Sequence, residues 1–208
     1  DISNIDDSAN SEDRIKWTFD AEGAIAGPIH AENGNLYFGD LASNVYKLNA
    51  SSRSGSSQIS EVNSSNGEWV FDAKVWVWAA PIIENGVVYV SALDGSIFAL
   101  DEATGSENWS SSIEGQIVSS PTLFDRQRGD TRERALAVPS GKENVWVISV
   151  IDGRELGVFV TGGPVKATPL VYNENLYVHT MSGDIKWFSV ADTTQRGCVE
   201  LNGGGRCD

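Results

Sequence analysis

The residues best suited to form a covalent link in this 208-residue chain are its two cysteines, Cys198 and Cys207, which lie nine positions apart near the end of the sequence. No histidine and no second cysteine pair lies nearby, which disfavours a zinc site. The choice is therefore between a disulfide and two free thiols, and the three glycines at 203–205 make a short loop easy to close. We expect a disulfide, which would place the protein outside the reducing cytosol.

Residues that commonly act in catalysis are present without the partners that catalysis needs. The sequence places no nucleophile, base or further metal ligand beside either histidine, His30 or His179. No serine stands in a G-x-S-x-G turn, and no Walker or dinucleotide-binding glycine pattern occurs. We therefore expect no catalytic, cofactor-binding or metal-binding residues, and interpret both histidines as ordinary strand or turn residues.

Two tryptophans, Trp76 and Trp78, alternate within the apolar segment 75–80. We expect this segment to be a β-strand, which places both side chains on one face of it. Such a pair can offer an aromatic platform to a ligand or a peptide near the axis of the fold, whereas the alternative is packing between structural repeats. We take Trp76 and Trp78 as the candidate binding surface.

A charged segment, 125–134, contains the tripeptide Arg128, Gly129 and Asp130, which adhesion receptors read in some extracellular proteins. A tripeptide is a weak motif, and its simplest interpretation is the solvated tip of a hairpin with mixed charge. A protruding loop is nevertheless a natural place for a contact with a partner. These three residues are therefore the candidate partner loop.

A repeat organises the elements that must position these residues. In each unit an aromatic residue is followed by a proline and then by a second apolar run. The four instances are Trp17, Pro28 and Tyr37; Trp69, Pro81 and Tyr89; Trp109, Pro121 and the run 135–138; and Phe159, Pro169 and Tyr177. Successive prolines are 40 to 53 residues apart, which fits one propeller blade per repeat.

The local pattern within each repeat predicts short β-strands. Runs rich in β-branched and aromatic residues at 36–38, 87–90, 145–151 and 176–179 are separated by Asn-Gly, Asp-Gly and Ser-Gly pairs typical of hairpin turns. No window of twelve or more residues has a convincing helical period. We predict an all-β chain of four blades, each with about four antiparallel strands, and equivalent strands near 36–39, 87–90, 134–138 and 176–180.

The run 99–109, A-L-D-E-A-T-G-S-E-N-W, resembles the tryptophan-docking signature A-x-D-x-x-T-G-x-x-x-W of the PQQ-like (pyrroloquinoline-quinone-type) β-propeller repeat family. The run 88–101 resembles the central hairpin of that family, and weaker versions occur at 36–49 and 176–190. The resemblance covers residues 14–190 and implies a β-propeller of four-stranded antiparallel blades. The serine-rich loop 51–67 and the shortened turn 152–154 depart from the repeat.

The resemblance also bears on activity. The quinone-dependent dehydrogenases of this family hold their cofactor over calcium, with adjacent cysteines and a catalytic aspartate near the axis. Here the cysteines are nine positions apart, and no oxygen-rich cluster of the kind calcium needs stands out beyond ordinary turn aspartates. We therefore place the chain in a non-enzymatic branch without a cofactor, and keep part of a quinone-dependent dehydrogenase-like protein as an alternative.

Charge and hydropathy exclude other classes and suggest a division of the chain. With 29 acidic and 15 basic residues, the net charge of −14 disfavours nucleic acid as a partner. No apolar stretch approaches the roughly 20 residues that span a bilayer, so we expect no direct membrane insertion. We divide the chain into an acidic flexible segment (1–13), propeller repeats (14–190) and a tail with the cysteine pair (191–208).

Taken together, these features predict a non-catalytic, extracytoplasmic β-propeller, periplasmic, cell-surface or secreted, that acts as a binding or scaffolding module for another protein. The alternative is a sensor that binds a small molecule or carbohydrate through Trp76 and Trp78.

The number of repeats raises the question of ring closure. Larger members of the family close with seven or eight blades, so four repeats predict a complete small ring, a dimer or part of a longer ring. No outer strand is visible after Val190, and we therefore expect residues 15–19 to pair with residues 185–190. The competing expectation is that the missing blades lie outside this sequence.

Overall fold

A computed structural model describes residues 17–50, 57–59, 61–201 and 207, so the predicted acidic segment 1–13 lies outside the described residues. In chain order the strands are β1 (Trp17–Phe19), β2 (His30–Glu32), β3 (Asn35–Gly39), β4 (Asn44–Asn49), β5 (Ser57–Ile59), β6 (Trp69–Asp72), β7 (Ile82–Glu84), β8 (Val87–Ser91), β9 (Ser96–Asp101), β10 (Glu107–Ser112), β11 (Thr122–Arg128), β12 (Thr131–Pro139), β13 (Asn144–Ser149), β14 (Glu155–Val160), β15 (Leu170–Tyr172), β16 (Asn175–His179), β17 (Asp184–Ser189) and β18 (Gln195–Glu200). One short 3-10 helix, η1 (Ser64–Asn66), is the only helical element in these ranges. Within them, no helix is long and apolar enough to cross a membrane.

Sixteen strands form four antiparallel sheets, and each sheet is one propeller blade. Blade 1 has the order β2-β3-β4-β6, and blades 2, 3 and 4 consist of β7 to β10, β11 to β14 and β15 to β18. Strands β3, β8, β12 and β16 each stand second in their blade, at the four positions predicted to be equivalent. The predicted all-β propeller of four-stranded antiparallel blades is confirmed.

Tight turns between the first and second strands follow directly from the sequence. Asn33 and Gly34 both have positive φ, as do Asn85 and Gly86. Two consecutive residues of this kind give a hairpin turn whose twist matches that of the strands it joins. In blade 4 Asn173 and the less usual Glu174 adopt the same left-handed conformation, so the turn is kept without glycine.

The core lies between the blades, and strand β8 shows how alternation builds it. Val88 and Val90 are fully buried in a cluster with Tyr37 and Trp69 of blade 1. Tyr89, between the two valines, points the other way into a cluster shared with blade 3. Because side chains alternate between the two faces of a strand, β8 contributes to two interfaces. Both faces are buried, so its sequence is a continuous apolar run.

Tryptophan docking joins the first three blades. The Trp69 side chain of blade 1 packs on Gly105 of blade 2, and its indole N–H donates to the Glu102 carbonyl at 2.9 Å. Trp109 of blade 2 packs in the same way on Gly153 of blade 3. A Cβ atom on either glycine would lie within 2.6 Å of the indole ring. The glycines of the docking signature are therefore required by close packing as well as by their positive φ.

At the third interface, between blades 3 and 4, the small and the large residue change places. Gly157 of β14 pairs with Val147 of β13, just as Trp109 of β10 pairs with Ala99 of β9. The position of the docking tryptophan is therefore occupied by a glycine in blade 3. In blade 4 the turn glycine is replaced by Thr193, which keeps a positive φ of 61°. The Thr193 methyl would lie 3.8 Å from a Cβ on Gly157. A small residue on one side is thus matched by a larger one on the other.

The expected pairing of residues 15–19 with 185–190 is wrong. β18 pairs antiparallel with β17 and is the outer strand of blade 4, so part of the segment assigned to the tail belongs to the propeller. The described part of the N-terminal strand, β1, pairs in parallel with β5 instead. The physical reason is that the edge of β17 is already occupied by β18.

The two end faces of this blade series differ. On blade 1, Trp17 and Phe19 of β1 pack against Phe38, Tyr46 and Leu48. On blade 4 the opposite face is exposed, with Leu170 and Tyr172 each 63% accessible.

Candidate functional site

The segment that carries the two tryptophans, 73–81, is a link between β6 of blade 1 and β7 of blade 2 and is not the β-strand we predicted. Its side chains still alternate, since Val77 and Ala79 are buried whereas Trp76 and Trp78 are 50% and 39% exposed. The predicted placement of both tryptophans on one side is therefore observed, although the backbone lacks a strand partner.

Backbone hydrogen bonds to two blades hold this link in an extended path. The Val77 N–H donates to the Asp40 carbonyl of blade 1 at 3.1 Å, and the Trp76 carbonyl accepts from the Leu93 N–H of blade 2 at 2.9 Å. Both bonds go to turns between second and third strands, which is why the segment forms no ladder. The backbone beneath the two indoles is therefore fixed by the fold.

The later links repeat these bonds with other side chains. The Gln116 carbonyl accepts from the Gly141 N–H at 2.8 Å, and the Pro164 carbonyl accepts from the Met181 N–H at 2.9 Å. Gln116 and Pro164 thus stand where Trp76 stands. The fold accepts a polar residue or a proline at this position, so an exposed tryptophan there is not a structural requirement.

Close packing below the indoles depends on glycine. A Cβ atom on Gly39 would lie 2.2 Å from a Val77 methyl group, and one on Gly27 would lie 2.0 Å from the Trp78 carbonyl oxygen. The link can therefore sit directly on blade 1 only because both positions lack a side chain.

The buried carboxylate of Asp40 fastens the adjoining turn. It accepts hydrogen bonds from the backbone N–H groups of Gly23, Ala42 and Asn44 at 2.8 to 2.9 Å, and from the Tyr46 hydroxyl at 3.0 Å. Burial, assisted by the hydrogen bond to Asp40, raises the pKa of Tyr46 to about 12. These bonds hold the turn whose Asp40 carbonyl supports the tryptophan link.

A shallow cavity of about 390 Å³ lies beside Trp76. Its lining residues are Ser43, Lys74, Val75, Trp76, Leu93, Asp94 and Gln116. They combine apolar side chains with one cation and one anion, and none of them is a histidine or a cysteine. The cavity can hold a side chain or a small ligand, but its lining offers no paired nucleophile and base.

Sequence reasoning found Trp76 but missed the other residues around this cavity. Leu93 and Ser43 lie in turns of two different blades, and Gln116 lies in the following link. The repeat alignment supplied one usable signal, because Gln116 occupies the position equivalent to Trp76. The remaining neighbours depend on how blades stack.

The candidate partner loop lies at the tip of a long hairpin formed by β11 and β12. Arg128 ends β11, and Gly129 and Asp130 are exposed in the turn. Because successive strands are antiparallel, this hairpin lies at the opposite end of the blades from the interblade links. The structure therefore does not bring the tripeptide and the two tryptophans together, and each remains a separate prediction.

The cysteines are joined as expected. Cys198 is buried in β18 and forms a disulfide with Cys207, with the two Cα atoms 5.4 Å apart. This separation lies within the usual range for a disulfide. The bond fastens the chain after β18 to the outer strand of blade 4.

Sequence comparison identifies related proteins. A family model described as outer membrane protein assembly factor BamB matches residues 3–158, about three quarters of the chain. The outer membrane protein assembly factor BamB of Escherichia coli (strain K12) is 28% identical over 134 residues, which cover 63% of this chain and 31% of that protein. The factor of the same name from Legionella pneumophila (strain Paris) is 23% identical over 134 residues, with 64% and 33% covered. The chain thus spans about a third of the length of these relatives.

Solved structures show the same fold. BamB from Moraxella catarrhalis superposes with a TM-score of 0.65 at 20% identity, covering 89% of this chain and 53% of that one. The computationally designed Ika4 protein gives 0.60 at 14% identity, with 84% and 97% covered. Quinohemoprotein alcohol dehydrogenase from Comamonas testosteroni gives 0.67 at 14% identity, with 89% and 36% covered. These identities establish the fold alone, whereas the family match extends over most of the sequence: the chain belongs to the PQQ-like β-propeller repeat family whose model is described as outer membrane protein assembly factor BamB.

Proposed function

We propose that this protein is an extracytoplasmic, non-catalytic β-propeller that binds another protein through the face bearing Trp76 and Trp78. The observation that carries the proposal is the half-exposure of both indoles on a backbone fixed by two blades. Rigid aromatic side chains lose little conformational entropy on binding and are enriched among the residues that dominate protein interfaces.

The relatives suggest the kind of partner. The matching proteins are named as outer membrane protein assembly factors, which supports a protein component of outer-membrane assembly as the partner of this chain. The net charge of −14 favours a partner with a basic surface and disfavours nucleic acid. The Cys198–Cys207 disulfide supports an oxidising compartment such as the periplasm.

A second candidate function is the binding of a small molecule or carbohydrate beside Trp76. The specific observation in its favour is the cavity of about 390 Å³, a volume within the range of small-ligand sites. Binding of the purified protein to an array of immobilised glycans distinguishes the two candidate functions. A carbohydrate site gives a glycan signal that is lost when Trp76 is replaced, whereas a protein-binding face gives no such signal.

The test of protein binding uses a photo-crosslinking amino acid placed at position 76 or 78 in the source cells, with mass spectrometry of the products. The matched control position is Ile151, which is 79% exposed in a turn at the other end of the blades. We expect one outer-membrane assembly protein to be linked from positions 76 and 78 and not from 151.

Affinity for the purified linked protein then decides the role of the indoles. Truncation of a central interface aromatic costs about 2 kcal/mol or more, which corresponds to about a 30-fold loss of affinity. We expect this loss for Trp76→Ala or Trp78→Ala and unchanged affinity for Ile151→Ala. Equal crosslinking at all three positions, or unchanged affinity of the double variant, contradicts the proposal.

A further inference from the structure

A second and larger cavity, of about 700 Å³, lies between blades 3 and 4 at the end opposite the tryptophan face. One side is the hairpin of β11 and β12, which contributes Arg126 and Arg132. The other side consists of two turns of blade 4, around Glu174 and Ala191, together with Arg196 of β18. Three arginines therefore line one cavity in a strongly acidic protein.

Arg126 is the unusual member of this group. The residue is only 5% exposed, its Nη1 donates to the Leu156 carbonyl at 3.2 Å, and its Nε has no hydrogen-bond partner. A buried guanidinium without a compensating anion is costly because the protein interior solvates charge poorly. Because Arg126 lines the cavity, an anion bound there would compensate this charge.

The other arginines already have anionic partners. Five arginine side chains fall within the described part of the chain, and four of them form ion pairs: Arg132 with Asp125, Arg134 with Glu84, Arg154 with Glu133, and Arg196 with Asp192. Arg126 forms none. It is also the most buried of the five.

The carboxylates nearest Arg126 along the hairpin are committed elsewhere. Asp125 lies within 3.5 Å of both Arg132 and Arg134. Glu133, which faces Arg126 across the β-ladder, is bonded to Arg154 at 3.1 Å. Arg132 and Arg196, the other two arginines that line the cavity, are paired with Asp125 and Asp192, so Arg126 is the one lining arginine without an ion pair.

We propose that this cavity binds a carboxylate and that Arg126 is the residue that recognises it. A guanidinium edge presents two parallel N–H groups at the spacing of two carboxylate oxygens, and a bound carboxylate supplies the anionic partner that Arg126 lacks. The carboxylate belongs either to a small organic acid or to the C-terminus of a peptide. This inference is independent of the function proposed for the tryptophan face.

The experiment follows the Arg126 Nε–H signal by NMR in the full-length protein labelled with ¹⁵N. Sodium acetate is titrated to 200 mM at constant ionic strength, with sodium chloride as the balancing salt. We expect a saturable shift of the Nε–H signal with acetate and none with chloride. The Arg154 Nε–H signal, from an arginine outside the cavity, is the internal control and stays in place.

Two further ligands identify the source of the carboxylate. Trialanine with a free C-terminus is compared with trialanine amide, which lacks the carboxylate. Saturation by the free peptide at one tenth or less of the acetate concentration assigns a peptide C-terminus, whereas equal or weaker binding assigns a small organic acid. The amide is expected to give no shift in either case.

Substitution separates the role of Arg126 from the general charge of the cavity. Arg126→Met keeps the apolar stem and removes the charge, and Lys142→Gln, which removes an exposed cation in the turn between β12 and β13 at the other end of the blades, is the matched control. We expect acetate to raise the melting temperature of the wild type and of Lys142→Gln but not of Arg126→Met. The proposal is overturned if the wild-type Nε–H signal is unmoved by 200 mM acetate, if chloride moves it equally, or if inorganic phosphate saturates it at lower concentration.

Discussion

A single added methyl group tests whether tryptophan docking holds the blades together. In Gly105→Ala the new Cβ would lie 2.6 Å from Cδ2 and 2.8 Å from Cγ of Trp69, whose indole is fixed by its hydrogen bond to Glu102. The residue also has a φ of 72°, where alanine is strained. Two separate penalties therefore act at this position.

The matched control is Gly86→Ala. Gly86 has a φ of 78°, but a Cβ there meets no atom within 4 Å. A left-handed backbone costs an L-residue about 1–2 kcal/mol, partly offset by the lower entropy of the unfolded alanine chain. Overpacking a filled site costs a further 1–3 kcal/mol, roughly. We expect a loss of about 1 kcal/mol for Gly86→Ala and about 3 kcal/mol for Gly105→Ala.

Urea unfolding followed by tryptophan fluorescence measures this difference, with the slope against urea checked to be equal for the three proteins. If the two variants lose the same free energy of unfolding within about 0.5 kcal/mol, the precision that such fits allow, then the Trp69 ring moves aside freely and docking does not stabilise the interface.

Three further predictions concern other parts of the molecule. Replacing both Cys198 and Cys207 with serine is expected to lower the free energy of unfolding by about 2–3 kcal/mol, the value for closing a short loop. A loss below about 0.5 kcal/mol in urea unfolding, which is roughly the error of the fit, argues against a stabilising role of the disulfide. Because folding raises the pKa of Tyr46 from 10.0 to about 12, its contribution to stability is complete below pH 10 and is lost as the pH rises towards 12. The free energy of unfolding, measured from pH 9 to 12, should therefore decline less steeply in Tyr46→Phe than in the wild type. The control is Tyr172→Phe, which changes an exposed tyrosine. Arg134→Gln is expected to destabilise the packing of blade 3 on blade 2, because it leaves Glu84 without its partner; Arg132→Gln, whose pair lies within one hairpin and is more exposed, should have less effect in the same urea assay.

Much of the fold was predictable because its signals are local. The Asn-Gly turns at 33–34 and 85–86 fix two hairpins, and alternating apolar runs fix the strands between them. The docking signature at 99–109 contains Gly105 and Trp109, which lie at two successive interfaces, Gly105 against Trp69 and Trp109 against Gly153. Each of these features needs only a few neighbouring residues to be read.

The errors occurred where one element depends on another that is distant. β18 was missed because it has Gly197 at the position where the outer strands of blades 1 and 2 have tryptophan. The Trp187 ring of the adjacent strand β17 packs over Gly197 instead. Segment 75–80 alternates like a strand but bonds to turns of two blades. Arg126 lies in an ordinary charged run, and its burial depends on how blade 4 packs against blade 3.

The interblade links show how the same segment can be read for fold and for function. Val77, Ile117 and Val165 stand at equivalent positions of three links, and each side chain is at most 1% exposed. The positions on either side vary between tryptophan, glutamine, valine, proline and lysine. The three buried positions must remain apolar for the protein to be stable, because each side chain fills an interface between blades. The flanking positions carry no comparable constraint, and Trp76 and Trp78 remain 50% and 39% exposed there, which is the reason that we propose them as a binding surface.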